Sequence, residues 1–94
     1  MKTYDIQYTA KFKRELRRAK KQHKDMNALF DVVDMLSKGE TLDEKYHDHA
    51  LSGKYKGVRE CHIEPDWLLV YEKIEDTLVL LLSRLGTHAE LFQK

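Results

Sequence analysis

This sequence of 94 residues has little of what defines several other classes of protein. Its single cysteine excludes an internal disulfide framework and a cysteine-based zinc site. Its longest apolar run, residues 78–82, is far too short to span a bilayer, and residues 1–4 lead into no signal-peptide core. It also lacks repeats, low-complexity segments and a recognisable linker. These absences predict one cytoplasmic domain over residues 1–94, with no membrane partner.

Charge is distributed unevenly along the chain, although the net charge is only +1. Residues 1–24 hold nine Lys and Arg against two acids, and residues 25–94 hold eight against 14 acids. Within residues 11–24, eight of the 14 positions are basic and one is acidic. A helix face that is merely solvated usually relieves such self-repulsion with glutamates. This basic block therefore predicts contact with a polyanion.

Apolar residues recur at helical spacing in two segments and alternate in others, which predicts an α+β domain. Thr9 and Asp25 suit the N-caps of the two helices, Gly39 suits the end of the second, and His23 is expected at their seam. In chain order the predicted elements are a strand at 4–8, helices at roughly 9–22 and 26–38, a polar connection at 40–57, strands at 58–64, 68–74 and 77–85, and a short helix at 88–92. We expect the helix pair on one face of a small, mostly antiparallel sheet whose other face stays open.

The sequence at the centre of the chain predicts a hairpin that presents polar groups. Alternation along residues 58–64 places Glu60, His62 and Glu64 on one face of a strand. Because buried charge is costly unless it is paired, this face is expected to be accessible to solvent. Pro65 has no N–H to continue a ladder, so the turn falls there with Asp66 at its tip.

Three histidines, His49, His62 and His88, are expected at strand ends or in the adjacent loops. One interpretation is a metal site, but there is no His-Glu-x-x-His or Cys-x-x-Cys motif, and His-Asp-His at 47–49 has no diagnostic spacing. The alternative is metal-free acid–base chemistry on RNA, because imidazoles titrate near neutrality. Each histidine alone is explained more simply by a hydrogen-bond network. Together with the basic helix, they favour the RNA interpretation.

Three further side chains suit an RNA substrate. Arg59 and Arg84, expected on neighbouring strands, can bind a phosphate and stabilise the charge that develops on it. Phe92, near the end of the chain, can stack on an unpaired base.

Four sequence segments carry a resemblance to a known family. They are His23-Lys24-Asp25-Met26-Asn27, Asp48-His49-Ala50-Leu51-Ser52-Gly53, residues 56–71 (KGVRECHIEPDWLLVY) and residues 84–92 (RLGTHAELF). In this order they resemble the YafQ branch of the RelE-type toxins (RelE/ParE superfamily), ribosome-dependent mRNA endonucleases of type II toxin–antitoxin pairs. The His-x-Glu-Pro-Asp-Trp and Gly-Thr-His-x-x-Leu-Phe pieces are specific in combination.

The resemblance implies a RelE-like microbial ribonuclease fold that cuts mRNA in the ribosomal A site and is blocked by a cognate antitoxin. By position, His49, His62, Asp66 and His88 match the family's catalytic residues, Arg84 its phosphate-binding arginine and Phe92 its C-terminal aromatic. Glu60 stands where the family pattern has Asp and is included among the expected substrate-binding residues. Ala50 stands where the pattern has Pro. No cofactor is implied.

Among these residues we expect His62 to act as base, with Asp66 orienting an imidazole or sharing that role, and His88 to act as acid, with His49 assisting. We further expect five cations of the basic helix to contact ribosomal RNA: Lys13, Arg14, Arg17, Lys20 and Lys21. Two other functions remain open on the same scaffold: a non-catalytic module that binds protein or modulates translation, and a ribonuclease that needs no ribosome.

Overall fold

The computed structural model describes residues 3–51, 53 and 57–92, so Ser52 and Lys56 of the motif segments lie outside the described residues. In chain order the elements are β1 (Asp5–Tyr8), α1 (Ala10–Lys21), α2 (Met26–Ser37), a 3-10 helix (Glu44–Tyr46), β2 (His49–Ala50), β3 (Arg59–Glu64), β4 (Trp67–Ile74), β5 (Val79–Gly86) and α3 (His88–Phe92). The predicted elements are all present, with ends shifted by at most two residues. The 3-10 helix and β2 fall inside the predicted connection, because elements this short carry no periodicity.

The five strands form one sheet in the order β1-β5-β4-β3-β2. β3 pairs antiparallel with both β2 and β4, and β4 pairs antiparallel with β5. β1 runs parallel to β5, with Tyr8 beside Leu82. The predicted α+β class and mostly antiparallel sheet are therefore confirmed. Of the helices in the described part of the chain, none is long and apolar enough to cross a membrane.

Side chains at the predicted positions cap both long helices. Thr9 Oγ1 accepts from the Phe12 N–H at 3.0 Å, and an Asp25 carboxylate oxygen accepts from the Ala28 N–H at 3.1 Å. Gly39 follows α2 with φ +76°, a left-handed conformation that favours glycine. The prediction for His23 is wrong: it is exposed and takes φ +60° just beyond α1, where it ends the helix instead of lying at the seam.

The main core lies between the helix pair and one face of the sheet. It includes Phe12 from α1, Val32 from α2, and Cys61, Leu69 and Tyr71 from β3 and β4. Burial raises the pKa of the Cys61 thiol, so this cysteine is an inert core residue.

The opposite face of the sheet is partly covered, contrary to the prediction of an open face. Leu68 and Val70 of β4 pack there with Leu91 of α3, and all three side chains are buried. Because α3 returns across the sheet, it fixes the position of His88 over the end of β3.

Candidate active site

Four aromatic rings line up beside the end of β3. The ring of His62 lies 5.3 Å from that of His47 and 5.6 Å from that of His88, both edge to face. The ring of Phe92 follows at 6.4 Å from His88. We call these four residues the ring row. The pairing of β3, β4 and β5 places His62 opposite Leu68 and Leu68 opposite Gly86, so the loop after β5 meets His62.

The start of α3 is built to hold His88. The Thr87 N–H donates to Glu90 Oε1 at 2.9 Å, and the Glu90 N–H donates to Thr87 Oγ1 at 3.2 Å, which forms a capping box. A Cβ at Gly86 would lie 2.8 Å from Glu90 Oε1, so a larger residue there would displace the Glu90 carboxylate from the Thr87 N–H. His88 is thereby fixed at the first position of the helix.

Asp66, in the turn between β3 and β4, orients the His88 ring. Its Oδ1 accepts from the His88 N–H at 3.1 Å and lies 3.0 Å from His88 Nδ1. The bond from the backbone N–H, followed by that from the ring, lowers the pKa of Asp66 below its usual value, so the carboxylate is ionised. An ionised carboxylate can only accept, so Nδ1 carries a proton and Nε2 is the nitrogen left for chemistry.

Glu60 is buried, contrary to the expectation of a solvent-accessible face, with 4% of its surface exposed. Its Oε1 lies 3.1 Å from His49 Nε2 on β2 and 3.8 Å from His62 Nε2. A buried carboxylate requires a partner, and His49 supplies one across the β2–β3 pair. The longer side chain of Glu, where the family pattern has Asp, makes this contact.

Both ring nitrogens of His49 face acceptor oxygens. Nδ1 lies 3.2 Å from the Ala50 carbonyl oxygen, and Nε2 lies against Glu60. A carbonyl oxygen can only accept, so Nδ1 carries a proton, and the ring of His49 is held at both of its nitrogens.

Asp48 anchors the segment that carries His47 and His49. Its two carboxylate oxygens accept from the Tyr71 hydroxyl and from Arg59 Nη2, the latter at 3.2 Å. Burial, together with the Asp48 contact, raises the pKa of Tyr71, which keeps its donating proton.

The two candidate phosphate-binding arginines are not on neighbouring strands, because β4 separates β3 from β5. Arg59 pairs with Tyr71 in the register and so faces away from Glu60 and His62. Its guanidinium binds Asp48 and lies 3.4 Å from the Tyr71 hydroxyl, so its contacts are those of an anchor for the β2 segment.

Arg84 contacts α1. Its Nη2 donates to Glu15 Oε2 at 2.8 Å and its Nε lies 3.1 Å from the same oxygen. The pairing of β1 with β5 ends at Leu82, so β1 offers no acceptor to the Leu85 N–H. Glu15 Oε1 accepts from this N–H at 2.9 Å. Glu15 thus closes the edge of β5 that β1 does not reach.

A surface cleft of about 830 Å³ opens at the His47 end of the ring row. His49 and His62 line it, whereas Asp66 and His88 lie beyond His62. The predicted catalytic residues therefore converge on His62, with two of them inside the cleft and two beside it.

The five predicted RNA-binding cations of α1 are all exposed: Lys13, Arg14, Arg17, Lys20 and Lys21. Arg14, Arg17 and Lys21 also line a smaller surface cleft with Arg18. An exposed cluster of this kind suits phosphate groups.

One group of side chains among the described residues could hold a metal ion. The ligand atoms of His49, Glu60 and His62 lie within 4.8 Å of one another. Imidazole and carboxylate ligands suit zinc or copper. Sequence spacing could not indicate this group, because β2 and β3 bring it together.

A family model described as "Bacterial toxin of type II toxin-antitoxin system, YafQ" matches residues 4–93. The chain belongs to this YafQ family. The mRNA interferase toxin YafQ of Escherichia coli K12 is 44% identical to it over 89 residues, 94% of this chain and 95% of that protein.

Solved structures agree with the family assignment. The YafQ chain in the crystal structure of the E. coli DinJ-YafQ toxin-antitoxin complex is 40% identical with a TM-score of 0.88, covering 96% of this chain and 98% of that one. A metal-bound toxin from Helicobacter pylori is 41% identical with a TM-score of 0.91, covering 96% and 100%. The predicted family, toxin class and fold are confirmed.

Sequence reasoning missed three residues that build the site of this YafQ-family chain. The sequence shows Glu15 only as the single acid of the basic block, and Asp48 only as part of a motif segment and of the His-Asp-His cluster. His47 was considered only in a metal cluster, yet it ends the ring row. A signal was available for Glu15, since an acid alone among cations on a helix is expected to have a partner.

Proposed function

We propose that this YafQ-family toxin is an endoribonuclease that cuts mRNA in the ribosomal A site by metal-free acid–base catalysis. The observation that carries the proposal is the His62–His88 ring pair at 5.6 Å, with Asp66 on His88. RNA brings its own nucleophile, the 2′-hydroxyl, so two titratable groups on either side of one phosphate suffice. Cleavage of mRNA is also the activity in the name of the E. coli relative.

His62 is assigned as the base that removes the 2′-hydroxyl proton. Its Nε2 lies 3.8 Å from Glu60, beyond hydrogen-bond distance, so that contact does not occupy the nitrogen. The ring is also half-buried between two other rings, which limits its rotation.

His88 is assigned as the acid that protonates the departing 5′-oxygen through Nε2. Asp66 accepts a hydrogen bond from Nδ1 of this ring and leaves Nε2 for the substrate. His49 assists from β2, where its contact with Glu60 holds it beside His62.

Two further groups bind the substrate in this proposal. Phe92, at the α3 end of the ring row, stacks on a base. Arg84 neutralises the phosphate with the donors that Glu15 leaves free, since its side chain is 26% exposed. The contacts of Arg59 give no support to the same role for it.

The proposed partners follow from charge and family. Exposed cations on α1 bind ribosomal RNA by phosphate contacts that carry no sequence information. A cognate antitoxin blocks the toxin, by analogy with E. coli YafQ, which forms a toxin-antitoxin complex with DinJ. Action on translating ribosomes places the protein in the cytoplasm.

The test compares cleavage of ribosome-bound mRNA by wild type, His62→Ala and His88→Ala. Each substitution is expected to lower the rate by about 10²–10⁴-fold in a protein that still folds, because each removes one proton-transfer group. His23→Asn is the matched control, since it removes an exposed histidine that is not part of the ring row and Asn tolerates its positive φ.

Three results would contradict the proposal. The first is cleavage at the normal rate of a message with a 2′-deoxy nucleotide at the cut site. The second is a product without a 2′,3′-cyclic phosphate or the 3′-phosphate derived from it. The third is activity that chelator removes and metal restores, which would favour the His49-Glu60-His62 group as a metal centre. Binding to ribosomes without any cleavage would indicate a non-catalytic module, and equal cleavage of naked RNA a ribosome-independent nuclease.

A further inference from the structure

His47 has no assigned role in the proposed reaction, and of the residues that line the cleft beside it only His49 and His62 have one. We propose that this cleft is a nucleobase subsite, in which an unpaired base of the message next to the scissile phosphate stacks against His47. The inference rests on the proposed function, because it places the substrate phosphate at His62.

The position of the cleft supports this assignment. His49 and His62 form part of its wall, so a phosphate held between them has one neighbouring nucleotide inside the cleft. Phe92 lies at the other end of the ring row, beyond His88. The row therefore offers an aromatic ring on each side of the reacting groups. Single-stranded RNA is bound in this manner, with bases splayed onto exposed rings.

The backbone holds the His47 ring in place. His47 ends the 3-10 helix with φ +47°, and its N–H donates to the Glu44 carbonyl at 3.0 Å. The next residue, Asp48, is fixed to Tyr71 and Arg59. A non-glycine residue in this conformation is uncommon, and here it directs the ring towards His62. The ring itself is exposed, and so is available to a ligand.

The rest of the cleft has the chemistry that a base requires. Tyr46 supplies a second aromatic surface, with Lys45 Nζ 5.1 Å from its ring centre. Lys45 offers donors, and the carboxylates of Asp31 and Glu64 offer acceptors for the edge of a base. The volume of about 830 Å³ lies within the range of about 300–1,000 Å³ for small-ligand sites.

The test is a double-mutant cycle that combines a substitution at His47 with removal of a base from the message. His47→Asn removes the ring but keeps a residue that tolerates positive φ, and His47→Phe restores an aromatic ring. Both are compared with wild type on programmed ribosomes, using messages with a normal or an abasic nucleotide on each side of the cut. On normal messages we expect His47→Asn to lower kcat/KM by about 5- to 150-fold, and His47→Phe to recover most of it. On the message whose abasic position would occupy the cleft, wild type and His47→Asn should have equal kcat/KM.

Two readouts separate stacking from a structural effect on His62. The pH profile of kcat should be unchanged in His47→Asn, since His47 moves no proton, and the loss should appear in KM. A shifted profile, or an equal loss on normal and both abasic messages, would overturn the inference.

Affinity for ribosomes that carry an uncleavable 2′-deoxy message separates this inference from the proposed function. If wild type does not cleave the normal message, but its affinity for these ribosomes depends on His47 and on the base, the proposed reaction fails and the subsite stands. If wild type cleaves normally and neither affinity nor rate depends on His47, only the subsite is wrong.

Discussion

Replacing Glu15 by Ala is expected to destabilise the protein strongly, although the residue lies in a helix that is otherwise covered with exposed cations. Only 8% of Glu15 is exposed, and its carboxylate accepts from Arg84 and from the Leu85 N–H. Its removal leaves a backbone donor and a guanidinium without their acceptor.

The magnitude follows from these two losses. An unsatisfied buried donor costs about 1–3 kcal/mol, and truncating one partner of a buried ion pair costs about 3–5 kcal/mol. Since 26% of the Arg84 side chain is exposed, it can turn partly to water, and we expect a total of about 2–4 kcal/mol. This is a large share of the roughly 5–15 kcal/mol that stabilises such a domain, and it corresponds to a fall in Tm of about 10–25 °C.

The assay is urea and thermal unfolding of wild type, Glu15→Ala, Glu15→Gln and the double variant Glu15→Ala/Arg84→Ala. Glu15→Gln should lose less, because its amide oxygen can still accept from the Leu85 N–H. The double variant should lose less than the sum of its single changes, because no cation is left unpaired. A free energy of unfolding within about 0.5 kcal/mol of wild type for Glu15→Ala would refute this reasoning.

Three further predictions concern the site and its partners. Asp48→Ala should lower both the cleavage rate and the free energy of unfolding, because it releases the segment that carries His47 and His49 from Tyr71 and Arg59. An unchanged cleavage rate would contradict this. Arg17→Glu or Lys21→Glu should weaken ribosome binding and reduce its salt dependence, whereas Lys38→Glu, a reversal at the end of α2, should not. Because the pKa of Asp66 is lower in the folded protein, its contribution to stability is present above the ordinary value of 3.8 and is lost as pH falls through the folded value. In urea unfolding, Asp66→Asn should thus be less stable than wild type above about pH 4 and converge with it in stronger acid; a constant difference down to about pH 2 would count against the Asp66–His88 contact.

The local structure could be predicted because its causes are local. The caps at Thr9 and Asp25 act on amides three residues away, and the turn at Pro65 follows from a missing N–H. The motif around His62 and that around His88 were specific enough to indicate the family, which the match over residues 4–93 confirms.

The sequence by itself thus determined the elements, the class of fold and the family. Tertiary structure decided which of the polar side chains meet, because strand register and the return of α3 join residues far apart in the chain. Glu60 is buried only because β2 brings His49 to it, and His62 meets His88 only because β4 and β5 align their ends. Glu15 and Arg84 are separated by 69 positions in the sequence, which leaves no periodic signal, and their contact exists because β1 ends before β5 does.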